Sequence, residues 1–235
     1  MTQSPVEILS TALNKGRNSE ISDLLPALAE DSVQDLRIIV SNGESLKAVL
    51  GVTLTSIVYK ILNPSQDIRY HQDQLENGYS GRTFDTKYVT PFLKENFPHI
   101  AMAESAWLTR SLEQTHPYNF EYPGNIRNKK VKAAFLNTLN RLQSDHKLAF
   151  DMLTIIFSLL LEALQDEEPL FTTVEVSKRL TISKIIEAVN LHINHNYRTG
   201  TVGTARIPVL AIYSVYNLIL PDVKRYSEKK LAPLE

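Results

Sequence analysis

Residues 147–165 read KLAFDMLTIIFSLLLEALQ. Asp151, Thr154, Ser158 and Glu162 interrupt the apolar run at spacings of three and four, the period of one face of an α-helix. The run is too short and too polar for a membrane span, which needs about 20 mostly apolar residues. It is expected to be a buried core helix.

The neighbouring stretches follow the same pattern. Lys129 to Leu142 is a second helix with a strong apolar face, and Glu44 to Leu62 is a third, closed by Asn63-Pro64. Ser32 to Val40 is a short helix ended by Asn42-Gly43. Val6, Leu9 and Leu13 recur at helical spacing, with Gly16 as the expected stop. Ser19 to Ala29 repeats the pattern, although Pro26 disturbs it. Phe84 to Phe97 and His99 to Gln114 are two further helices separated by Pro98. Downstream, Phe171 to Asn194 opens on a capping box, Thr172 with Glu175, and Ile207 to Leu220 lies between Pro208 and Pro221. Few segments alternate with period two, and no repeat of solenoid length is evident. The expected fold is mainly α: a multi-helix globular domain with long central loops. The chain is divided into an N-terminal helical region, 1–64, and a helical core with the loops, 65–235. The two together also read as a single domain.

Composition narrows the chemistry. The 235 residues include no cysteine, so disulfide frameworks, cysteine-ligated zinc, iron–sulfur clusters and thiol catalysis are excluded. Apolar residues are 43% of the chain and net charge is −1, which excludes disorder as the main state. The first residues, MTQSPVEILSTALNKG, lack a basic region followed by an apolar run, so a cytoplasmic location with no membrane association is expected. The near-neutral total conceals alternating blocks. Residues 78–147 carry 10 basic and 6 acidic residues, and 178–206 carry 5 and 1. Residues 1–77 carry 6 and 10, and 148–177 carry 0 and 6. The blocks are either chance clustering on a solvated surface or one basic face built from two segments.

The first basic block contains GYSGRTFDTKYVTPFLKENF, residues 78–97. Gly78 and Gly81 free the backbone around Tyr79 and Arg82, which suits phosphate or base contact. Asp85 two residues before Lys87 is half of a metal-nuclease arrangement, with Asp73 or Glu76 as the second carboxylate. The alternative is a helix start with Asp85 stabilising the first turn. A helix here would point Asp85 and Lys87 to different faces. Next comes ESAWLTRSLEQTHPYNFEYPGNIRNKK, residues 104–130. Trp107, His116, Tyr118, Phe120 and Tyr122 are interleaved with Arg110, Arg127, Lys129 and Lys130, a mixture that suits a nucleic-acid surface. The alternative is that Trp107, Phe120 and Tyr122 fill the core. In the second basic block, Arg198 and Arg206 flank the Gly/Thr-rich loop NHNYRTGTVGTARIP, residues 194–208, which suits phosphate contact or a plain helix connection. His192 and His195 lack a third metal ligand, and Thr173 to Asn190 matches a helix-turn-helix only loosely.

The texts at 78–97 and 104–126, with KIIEAVNLHINHNYRTGTVGTARIPVLAIY further on, resemble type II restriction endonucleases of the SacI-like family. The resemblance covers roughly residues 45–230. It implies double-stranded DNA as ligand, Mg²⁺-dependent hydrolysis, a homodimer on a palindromic site, and a cognate DNA methyltransferase as functional partner. Such enzymes carry an Asp followed at a distance by Glu-x-Lys on strands, and no convincing strand here bears that motif. The chain therefore reads as the helical DNA-recognition part of a longer nuclease. The opposing reading is a helical protein-interaction scaffold with no nucleic-acid role.

Overall fold

The computed structural model describes residues 3–165 and the isolated positions 190, 209, 212 and 213. The chain divides into two compact units, Met1–Ala163 and Leu164–Glu235. The expected helices at 171–194 and 207–220, the His192/His195 pair, the helix-turn-helix match, and Arg198 and Arg206 all lie outside the described residues.

The described part of the first unit is all helix and loop. In order come α1 (Pro5–Asn18), α2 (Ile21–Leu24), α3 (Glu30–Ser41), α4 (Lys47–Leu62), α5 (Gly81–Phe84), α6 (Thr90–Asn96), α7 (Lys129–Ser144) and α8 (Ala149–Gln165). Local chemistry sets the starts of two of them. Ser4 and Glu7 close a capping box on α1, with Pro5 as first residue. Asn128 accepts the amides of Lys130 and Val131 at the start of α7.

α4 is the axis of the core. It buries twelve of its sixteen residues, Ala48 to Val58 and Lys60, because α1, α3, α7 and the central segment surround it. Buried Lys60 donates to Gln66 O and Gln143 Oε1, joining the loop after α4 to α7. α3 is fastened to α7 by Arg141, which pairs with Asp31 and Asp35. In α8, Met152, Leu153, Ile155, Ile156, Phe157, Leu159 and Leu160 are buried, as its sequence requires. No helix among the described residues is long and apolar enough to cross a membrane.

Three local expectations change. Gly16 lies inside α1, where a Cβ would meet Thr154 O at 3.1 Å and Ser158 N at 3.2 Å. It permits the close crossing of α1 and α8 and does not end a helix. Pro26 reduces the second helix to one α turn followed by a 3₁₀ turn, Leu25–Ala27. The expected helix at 99–114 is a loop with a single 3₁₀ turn, Ala106–Leu108. The Ala106 amide, which a helix would direct along its axis, donates to the Asp85 carboxylate instead.

Candidate nucleic-acid interface

The central segment folds over α4 and α7 around His71. The Trp107 indole N–H donates to His71 Nδ1 at 3.0 Å, and the His71 Nε2–H donates to His116 O at 3.2 Å, which fixes the tautomer. Tyr118 stacks on the His71 ring with centroids 3.7 Å apart. The Tyr118 hydroxyl donates to Leu112 O, and that of Tyr122 to Ser111 O. Burial holds the His71 pKa down at about 4 and pushes the Tyr122 phenol up to about 12. Trp107, Tyr118 and Tyr122 are thus core residues, whereas Phe120 is 67% exposed.

α5 and α6 join through one wide π turn, Asp85–Val89, in which Thr90 N donates to Asp85 O five residues back. Pro91, which has no N–H to continue the ladder, follows directly. Asp85 faces inward and Lys87 outward, as the spacing implies for a helix. The Asp85 carboxylate is 1% exposed; Ser105 Oγ and Ala106 N donate to Oδ2 at 2.7 and 2.8 Å, and the hydroxyls of Thr55 and Thr90 lie 3.1 Å from Oδ1. Lys87 sits over the Tyr88 ring. Glu76 is exposed beside Asp67, and Asp73 lines a different cleft. Among the described residues no group of three His, Cys, Asp or Glu could hold a metal. Asp85, Lys87 and Glu76 are therefore not brought to one point. The Asp85 carboxylate does not fit Mg²⁺, because it is buried and both its oxygens lie against polar groups of the fold itself.

The glycines have a structural task. A Cβ on Gly81 would lie 2.6 Å from the Trp107 ring, and one on Gly78 would lie 1.9 Å from Gln72 O. The free space is used by the protein's own packing. Gly81→Ala is expected to lower stability by about 2 kcal/mol by displacing Trp107; urea unfolding of the variant measures it. Tyr79 is likewise internal. It stacks on Tyr59 at 3.9 Å, and its hydroxyl is buried next to that of Ser56. It is 5% exposed and packs inside the fold.

The remaining candidates face solvent. Arg82 opens onto a cleft of about 310 Å³ shared with Asp73, Glu113 and Thr115. Arg110 follows the 3₁₀ turn, and Arg127, Lys129 and Lys130 surround the start of α7. Among the described residues, none of these five cations is in an ion pair, in contrast to Arg69 and Arg141. No known protein family matches the chain in sequence, and no curated protein matches it. Sequence reading missed His71, which carries the loop scaffold; a lone histidine in a polar stretch gives no signal of that role.

Proposed function

We propose that this chain recognises double-stranded DNA in the cytoplasm as part of a type II restriction endonuclease paired with a cognate methyltransferase. The observation that carries the reading is the run Arg127, Lys129 and Lys130. It sits at the positive end of the α7 dipole with no acidic residue in the first turn and no ion-pair partner among the described residues. Such a placement is unfavourable for folding and is relieved by an anionic ligand such as DNA phosphate. Arg82 and Arg110 add further unpaired cations on the same central segment. The hydrolytic step and the two-fold dimer rest on the family resemblance alone. A protein-interaction scaffold is less well supported. Within 3–165 the exposed large apolar side chains are single residues on separate elements: Val6, Leu108 and Phe120.

The test is a gel-shift series of the chain with short duplexes across rising salt. Arg127→Gln, Lys129→Gln and Lys130→Gln combined should weaken binding and flatten the slope of log K against log salt by about 2 to 3. The unfolding temperature should not fall, since the change removes repulsion at the helix start. Salt-independent retention, or a slope unaltered by the triple change, refutes the proposal.

A further inference from the structure

We infer that Phe120 is an intercalating wedge that enters between base pairs of bound duplex DNA; this deepens the DNA reading above and rests on it. Phe120 is the most exposed large apolar side chain of the described residues, at 67%. It stands at the tip of a tight turn in which Tyr122 N donates to Asn119 O and Glu121 N donates to Asn119 Oδ1. Its neighbours two positions away on either side, Tyr118 and Tyr122, are buried anchors with bonded hydroxyls. Their carbonyls are held on α7 by Asn140 Nδ2 at 3.4 Å and Lys132 Nζ at 2.7 Å. Pro117 and Pro123 flank the turn. The ring is therefore projected by a stiff support, so little conformational freedom is lost when it enters a ligand.

The surroundings select the partner. A protein-binding patch needs contiguous apolar surface, yet the tip is bordered by Asn119, Glu121 and Pro123. Lys129 lies three residues before Lys132, whose side chain holds the turn, and so neighbours it on one face of α7, while Lys130 is turned to the other face; a cation and an apolar projection thus border the same end of α7. Phosphate-binding cations beside a rigid apolar wedge are the components of duplex kinking by base-step insertion. The carboxylate of Glu121 disfavours phosphate at the tip itself, so the contact made there is that of the ring with bases.

The experiment uses the full chain and duplexes recovered from a randomised pool by selection on the wild type. Phe120→Trp places an exposed indole at the tip, while the natural Trp107 is buried and serves as internal reference. Stacking should quench the new emission on duplex addition, and Phe120→Ala should weaken binding about tenfold with unchanged thermal unfolding. A Val6→Trp control, exposed on α1 away from the proposed contact residues, should not be quenched. If the wild type binds duplex with the expected salt dependence but Phe120→Ala binds equally well, or the Phe120→Trp indole stays unquenched, the wedge is overturned and the DNA reading stands. If no duplex is recovered, both fall.

Discussion

Asp85→Ala is expected to lower stability by about 4 kcal/mol at neutral pH, whereas Asp85→Asn should lower it far less. The alanine leaves the Ser105 hydroxyl and the Ala106 amide facing a void in the core, each an unsatisfied buried donor. Asparagine keeps a carbonyl oxygen for those two donors and offers its amide to the opposite side. That side needs a donor. Thr55 Oγ1 lies 2.8 Å from Gly51 O, and Thr90 Oγ1 lies 3.0 Å from Glu104 O, while both lie 3.1 Å from Asp85 Oδ1. Each hydroxyl has one proton. When it goes to the main-chain carbonyl, Oδ1 is best served as the protonated oxygen of a neutral acid. Burial, the largest influence, raises the Asp85 pKa accordingly, against the lowering effect of the donated hydrogen bonds. Between the unfolded value of 3.8 and the raised native value, the folded chain holds a proton that the unfolded chain has lost. The contribution of Asp85 to stability is full below that window and declines as pH rises through it. Urea unfolding from about pH 4 to 7 should show Asp85→Asn gaining on the wild type as pH increases. An asparagine variant as unstable as the alanine one at neutral pH would show that the site requires the anion.

The second large effect lies at the His71 pair. Trp107→Ala should cost about 4 kcal/mol, from the lost ring and the cavity beside Gly81. The pH dependence of this site runs opposite to that of Asp85. A second proton on His71 would sit on Nδ1, directly facing the Trp107 N–H, in a fully buried position. The native pKa of about 4 lies below the unfolded value of 6.5. Above 6.5 the stabilisation is complete. Between those two values the unfolded chain takes up a proton that the native chain refuses, and about 3 kcal/mol is lost across that window. Asp85→Asn should therefore make acid loss steeper by removing the opposing contribution. NMR titration of the His71 ring should show no protonation down to about pH 5; a midpoint at the unfolded value would contradict the burial account.

The helices at 44–62, 129–142 and 147–165 were legible because one apolar face repeated over several turns is a local signal. The loop at 99–114 was not, because its competing hydrogen bonds come from Asp85, distant in sequence. The surroundings of Asp85 were not legible either: an acid two residues before a lysine says nothing of the polar groups that α4, α6 and the 105–106 turn bring to it. Tyr79 and Phe120 stand in similar aromatic and basic text, yet one stacks under α4 and the other stands in solvent.

The sequence by itself determined a helical class, the apolar stripes that build the core, and a neutral charge made of opposed blocks. Those are sums over local residues, and they need no partner. Only the tertiary structure decided which polar groups are inside and which aromatics are out. That choice depends on hydrogen bonds between remote segments, where an unsatisfied buried group costs more than any local preference returns. It turned Asp85 and His71 into structural centres. It left Arg82, Arg110, Arg127, Lys129, Lys130 and Phe120 at the surface.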